Sequence, residues 1–435
     1  MTRILVQKYG GTSVASAERI LNVAGRIART QQQGCQVVAV VSAMGQATDE
    51  LLHLSRQVNP HPSRRELDML LSTGEQVSIA LLAMALEREG VPAVSLTGLQ
   101  SGIVTDMQFS NARIQQIDTK RLRERLRRGQ VAIVAGFQGV GPDLEITTLG
   151  RGGSDTTAAA LAAALKAEAC EIYTDVDGVY TSDPRLVPEA ARLECISYGE
   201  MLELAGGGAQ VLHPRCVEIC RKYAIPLWVR SSFGDRPGTL VWRGKNLEQV
   251  VITGATLHRG IAKVAICGVP DRPGIAARVF DLLSKEGINV RLIIQSISHE
   301  HINDISLVVE KSYLSRAVEI LELLKKKIGA RELVHDSDVA ELSIVGSGIA
   351  STSGVAAQMF KTLAREKINI QLISTSEVRI ACIIDAARSE QALRAVHREF
   401  HLEGLRRKTL KAGVRGQGSG VRRAGVRGRG PGVRG

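Results

Sequence analysis

Through the first 245 residues, short apolar runs alternate with amphipathic stretches. Residues 37–41, 131–135, 172–174 and 227–230 carry β-branched side chains and are bounded by Gly, Pro or Ser, which predicts buried strands. Between the strands, the segment 16–28 sets Ile20, Val23, Ala24 and Ile27 on one side of a helix. This rhythm predicts an α/β domain over 1–245 with a mainly parallel sheet, whose ligands gather at the carboxyl ends of the strands. Beyond Gly254 the pattern changes. "PGIAARVFDLLSKEGINVRLIIQS" from Pro273 aligns without gaps on "SGVAAQMFKTLAREKINIQLISTS" from Ser353, with 11 of 24 positions identical at an offset of 80. Each copy reads strand, glycine-started helix, strand, then a second strand and helix. Two βαββαβ modules are expected, over 262–338 and 341–404.

Composition adds three restrictions. At 435 residues and 44% hydrophobic content the chain has material for more than one core. The net charge of +12 suggests nucleic-acid binding until it is located: ten Lys or Arg and no acid lie in 405–435, leaving +2 for the remainder. That Gly/Arg-rich tail has no aromatic residue to stack on bases and too little apolar content to fold, so it is expected to be disordered, and nucleic acid is not expected as a partner. The seven cysteines are scattered and lack zinc spacing, and no metal-ligating cluster is expected. The most apolar helix, expected over 156–169, is too short to span a bilayer and is interrupted by Lys166 and Glu168. The expected location is the cytoplasm, with no membrane contact.

Candidate chemistry lies in the loops after the strands. In "VQKYGGTSV", Gly10 and Gly11 lack the Cβ atoms that would block a ligand, and successive N–H groups can turn toward one anion beside Lys8 and Ser13. Ser42, Gly45 and Thr48 follow the run 37–41. In "TLGRGGSDTTA", Gly150, Gly152 and Gly153 surround Arg151, whose planar guanidinium suits a carboxylate or phosphate, and Asp155 reads as the N-cap of the next helix. "YTDVDGVYTSDPR" places Thr174 and Asp175 at a strand end, followed by Tyr180 and Arg185. Glu75 stands in the first turn of an apolar helix in "LLSTGEQVSIALLAMAL". There is no Walker A pattern, no G-x-G-x-x-G fingerprint that opens a βαβ unit and no Ser-His-Asp set. What remains is phosphoryl transfer, which needs cations, backbone N–H groups and Mg²⁺ but no protein nucleophile.

Through "KYGGTSV", "SAMG", "STGEQ", "GFQG", "TLGRGGSDTTA", "YTDVDGVYTSDPR", "VLHPR", "VRSSF" and the duplicated segment, residues 3–400 resemble the aspartokinases of the amino acid kinase family, which carry two regulatory ACT domains. The resemblance implies a three-layer αβα sandwich followed by two ferredoxin-like ACT domains. It implies transfer of a phosphoryl group from MgATP to L-aspartate, giving 4-phospho-L-aspartate, the committed step toward lysine, threonine, methionine and diaminopimelate. Lys8 and Asp155 would then be catalytic, with Lys8, Gly10, Gly11 and Ser13 on the transferring phosphoryl group. Arg151 would hold the α-carboxylate of aspartate and Glu75 its α-ammonium, with Ser42, Thr48 and Gly153 completing the pocket. Thr174, Asp175, Tyr180 and Arg185 would lie on the nucleotide side. The ACT pair implies a homo-oligomer inhibited by lysine, threonine or both, with Asp271, Asn289 and Gln295 as effector residues in the first repeat and Asn369, Thr375 and Ser376 in the second. One departure is Gln210, where many relatives have a lysine that reaches the nucleotide. The alternatives are a kinase of the same fold acting on another carboxylate, carbamate or nucleotide, and a catalytically silent amino-acid sensor.

Overall fold

The computed structural model describes residues 3–209, 211–244, 251–296 and 301–404. The basic tail and Gln210 lie outside the described residues. In chain order the first unit is built from β1 (Arg3–Tyr9), α1 (Ala17–Gln32), β2 (Cys35–Val41), α2 (Ala47–Val58), α3 (Arg64–Arg88), β3 (Ala93–Leu96), β4 (Ile103–Thr105), β5 (Ile114–Ile117), α4 (Lys120–Arg127), β6 (Val131–Ala135), β7 (Gln138–Val140), β8 (Ile146–Thr148), α5 (Gly153–Leu165), β9 (Ala169–Thr174), β10 (Cys195–Ser197), α6 (Tyr198–Gly206), α7 (Pro214–Tyr223), β11 (Leu227–Ser231) and β12 (Thr239–Trp242). The main sheet has the order β10-β12-β11-β9-β1-β2-β6-β3. From β3 to β11 its strands are parallel, and β12 turns back antiparallel to β11.

Side-chain alternation explains why these strands are mainly apolar. Val6, Val38, Val40, Ala132 and Val134 face α5, α6 and α7 on one side, while Tyr9, Val37, Ala39, Val41, Val131 and Ile133 face α1 and α3 on the other. Both faces are covered, so both parities are mainly apolar, and the buried exceptions are paired: Gln7 donates to Glu171 at 2.9 Å. The stripe read on the first helix, Ile20, Val23, Ala24 and Ile27, is buried as expected, and Ser16 caps that helix through its side chain.

α3 departs from expectation. It runs for 25 residues and Glu75 sits at its middle, not in its first turn. The buried face begins polar, with Asp68, Ser72, Glu75 and Ser78, and ends apolar, with Ile79, Leu82 and Leu86. The helix is long and apolar enough to cross a membrane by composition alone, but half of that stretch is buried against the sheet and α1. The alanine-rich helix α5 is shorter than its pattern suggested, because Lys166 adopts a left-handed conformation that ends it and Ala169 already belongs to β9.

The second unit is one sheet rather than two separate modules. β13 (Gly254–Pro270), α8 (Ile275–Lys285), β14 (Val290–Gln295), β15 (Ile302–Glu310), α9 (Leu314–Ile328), β16 (Glu332–Val345), α10 (Val355–Arg365), β17 (Ile370–Thr375), β18 (Arg379–Asp385) and α11 (Ser389–Glu399) give the order β14-β15-β13-β16-β18-β17. β13 and β16 are each shared. Residues 261–267 of β13 pair with 332–339 of β16, completing the first repeat. Residues 254–258 pair with 341–345, so the chain upstream of the first repeat supplies the fourth strand of the second. The boundaries expected near 262 and 341 therefore fall inside continuous strands. Each repeat keeps its own core, around Val279, Leu307 and Leu321 in the first and Met359, Leu363 and Val396 in the second. The second core also takes in Val187 from the first unit.

Candidate active site

Four loops meet at the carboxyl ends of β1, β2, β6 and β9. Gly10 donates its N–H to Tyr173 O, Ser42 donates to Tyr9 O, and Gly45 donates to Gly11 O. A Cβ on Gly11 would stand 2.9 Å from Ala43 O, so only glycine lets the first two loops close on each other. Ser13 and Ser232 share a hydroxyl hydrogen bond that ties in the loop after β11.

Lys8 has the parity of Val6, and strand alternation aims it at α5. There its Nζ stands 2.6 Å from Oδ1 of Asp155, and both side chains are nearly buried. Asp155 is not an N-cap. Gly152, at φ +68, occupies that position, and Asp155 lies in the first turn of α5 near its positive end. A Cβ on Gly152 would come within 2.3 Å of the His213 ring, so the turn that presents Arg151 packs against α7. Arg151 is exposed and makes no ion pair among the described residues.

Glu75 reaches the second loop from α3. Its Oε1 accepts the Ala43 N–H at 3.1 Å, while its buried Oε2 has no hydrogen-bond partner among the described residues. Burial pushes its carboxyl up to about 7, against the lowering effect of the Ala43 N–H. A buried, half-satisfied carboxylate beside a glycine-lined loop is a receptor for a cation. Ser42 and Thr48 are half-buried on that loop and on the first turn of α2.

The residues expected on the nucleotide side are less convergent. Thr174 Oγ1 donates to Asp175, Tyr180 donates to Asp177 at 2.6 Å, and Arg185 forks onto Asp183 at the surface. Among the described residues no three His, Cys, Asp or Glu side chains stand together as a metal cage.

The effector candidates occupy opposite edges of the second sheet. Asn289 and Gln295 flank or end β14 and Asp271 precedes α8, whereas Asn369, Thr375 and Ser376 surround β17. Ser376 instead donates to Glu203 of α6 at 3.1 Å.

Sequence reasoning missed the junction between the two units. Glu203 also pairs with Arg379 at 3.2 Å, and Arg379 reaches the buried Glu341 at 3.0 Å. Arg291 donates to Gly206 O at the end of α6. Thr253 and the N–H of Ser347 both bond Glu200 in the same helix. His397 of α11 meets Thr181 at 3.0 Å in the loop that carries Tyr180. These are charged or polar residues scattered over 200 positions, and no local spacing joins them.

Residues 3–231 match the amino acid kinase family, and residues 264–323 and 342–400 match the ACT domain. An aspartokinase of Thermus thermophilus is 50% identical over 402 residues, which is 92% of this chain and 99% of that protein. The crystal structure of E. coli aspartokinase III in complex with aspartate and ADP (R-state) superposes with a TM-score of 0.77 at 25% identity, over 91% of this chain and 99% of its own. The same enzyme in complex with lysine and aspartate (T-state) gives a TM-score of 0.70 at 25% identity over the same shares.

Proposed function

The chain belongs to the amino acid kinase family, and we propose on that premise that it is an aspartate kinase, transferring the γ-phosphoryl group of ATP to the β-carboxylate of L-aspartate. The observation that carries the reading is the set formed by the Lys8–Asp155 pair at the glycine loops and the free buried oxygen of Glu75. A zwitterion with a second carboxylate matches this set: its α-ammonium goes to Glu75 Oε2 and its α-carboxylate to Arg151. Ser42, Thr48 and Gly153 line the space between, and the β-carboxylate is left facing Lys8.

The chemistry follows from charge. The β-carboxylate is already ionised and needs no general base. One of its oxygens forms a bond to Pγ while the bond from Pγ to the β,γ-bridging oxygen breaks, and ADP leaves with that electron pair. Lys8, the Gly11 N–H and the Ser13 hydroxyl stabilise the charge spread over the transferring oxygens, while the N–H groups of Gly10 and Ser13 are held by Tyr173 O and Gly10 O and fix the shape of the loop. Mg²⁺ bound to the ATP phosphates would screen their charge. Asp155, whose Oδ1 has the Lys8 charge opposite it but accepts no directed hydrogen bond, is the carboxylate that fits beside it. Thr174, Asp175, Tyr180 and Arg185 form the nucleotide side, and Tyr180 and Arg185 exchange their present carboxylate partners for phosphate.

Regulation is assigned to the ACT repeats. Lysine, with threonine as companion, binds at the repeats' edges, where Asp271, Asn289, Gln295, Asn369, Thr375 and Ser376 offer groups for an amino acid. Because β14 and β17 are outer strands of one sheet, a second copy of the chain completes those edges, and the enzyme acts as at least a dimer. With seven cysteines and no disulfide among the described residues, the chain is assigned to the reducing cytoplasm.

Incubation with MgATP and aspartate in hydroxylamine tests the reaction. Aspartyl hydroxamate is the expected product, with glutamate a poor substrate. Equal rates for the two amino acids would overturn the substrate assignment.

A further inference from the structure

We infer that Asp68 is a positioning residue for the substrate, holding the Arg151 turn at a fixed distance from Glu75; the inference rests on the aspartate-kinase reading. Asp68 is fully buried on the same face of α3 as Glu75, two helical turns earlier. Its Oδ2 accepts the backbone N–H groups of Ser110 at 2.8 Å and Thr148 at 2.7 Å. Its Oδ1 accepts the hydroxyls of the same two residues at 3.0 and 2.9 Å. Four donors saturate the carboxylate, so it has nothing left for a ligand. Its role is to hold two pieces of chain together through charge-assisted bonds.

Those two pieces lead into the guanidinium turn. Thr148 ends β8 three residues before Arg151, and its carbonyl accepts the Ala112 N–H at 2.9 Å. Ser110 is held at φ +67, a conformation few non-glycine residues adopt, and its carbonyl would lie 3.0 Å from a Cβ on Gly150. From the other side, Arg215 of α7 donates to Leu149 O at 2.8 Å and to Ala112 O at 3.0 Å. A carboxylate from one helix and a guanidinium from another thus grip the root of the Arg151 turn. Since α3 also carries Glu75, one rigid element sets the spacing of the ammonium and carboxylate anchors. Discrimination against a substrate with one more methylene depends on that spacing, because two pinned α-groups leave the distal carboxylate no freedom to adjust.

The test is steady-state kinetics on the full chain with Asp68→Ala and Asp68→Asn, with the fold checked by thermal denaturation. In Asp68→Ala the aspartate KM is expected to rise tenfold or more, with the ATP KM within twofold and the preference for aspartate over glutamate narrowed. Asp68→Asn should stay within threefold of wild type, because one amide oxygen can accept both N–H groups while the NH₂ donates to two hydroxyls that turn round. If Asp68→Ala does not fold, Thr148→Val removes one hydroxyl contact at the same volume, and a threefold rise in aspartate KM alone is expected. An unchanged aspartate KM in Asp68→Ala, or in Thr148→Val where Asp68→Ala does not fold, or an equal rise for ATP, overturns the inference while leaving the function intact. A wild-type chain that forms no aspartyl hydroxamate overturns both.

Discussion

The ammonium of Lys8 stands 2.6 Å from Oδ1 of Asp155, joining the end of the central strand β1 to the first turn of α5. The pair positions a cation beside the glycine loop before any substrate arrives, with its carboxylate in the first turn of α5. Lys8→Ala should lower kcat by about 10² to 10³ with little change in aspartate KM, since the charge is used mainly in the transition state. The same substitution leaves Asp155 buried and unpaired, at a cost of about 3 kcal/mol in stability. Rapid-quench turnover and chemical denaturation read the two effects separately.

Arg151 has the opposite profile. It is exposed, carries no ion pair among the described residues and would meet a group that does not react. Arg151→Ala should raise the aspartate KM at least tenfold and leave kcat at saturation within a few-fold. If kcat falls while KM holds, the roles of the two loops are interchanged.

Glu75 gives a pH signature in two directions. Its carboxyl titrates at about 7 in the folded chain against 4.5 for the ordinary group, because burial disfavours the charged form. The folded state therefore binds the extra proton between those values. The stabilising effect is complete below about 4.5 and is lost as pH rises through 7, a swing of about 3 kcal/mol. Glu75→Gln should raise the melting temperature at pH 8 and not at pH 4. Aspartate binding runs the other way: the wild-type KM should fall as pH rises through about 7. In Glu75→Gln it should be about 10- to 100-fold higher, without that dependence.

Control should separate into binding and transmission. Asp271 follows the inner strand β13 and precedes α8, and Asp271→Ala should weaken lysine inhibition while uninhibited kcat stays near wild type. Arg379 joins the sheet to α6 through Glu341 and Glu203. Arg379→Ala should leave lysine bound, by calorimetry, but reduce its effect on activity by about 1 to 3 kcal/mol of coupling. Unchanged inhibition in both would remove these residues from the regulatory route.

The basic segment should be dispensable for turnover. A chain ending at residue 404 should keep kcat and both KM values within twofold of the full chain. Loss of activity would assign the ten cations of the tail a catalytic or assembly role.

The amino-acid sequence by itself determined the α/β rhythm, the internal repeat and the loops that meet at the site. Each of these is a local pattern: apolar runs of strand length, glycines where chain must approach chain, and a duplicated 24-residue match. Strand alternation even sets Lys8 on the α5 side of the sheet. What it left open was decided by distance in space. Glu75 falls in mid-helix because α3 starts ten residues earlier than the apolar run suggests, behind a Ser63 cap in a polar stretch. Asp155 loses the cap to Gly152 because the His213 ring packs where a Cβ would stand. Asp68, Arg215 and the Glu203–Arg379–Glu341 chain have no sequence signature, since their partners lie from 38 to 176 residues away. The fusion of the two repeats into one sheet follows from β13 and β16 each running on past its own module. Hydrogen-bond pairing between strands, not the repeat period, sets where a fourth strand comes from.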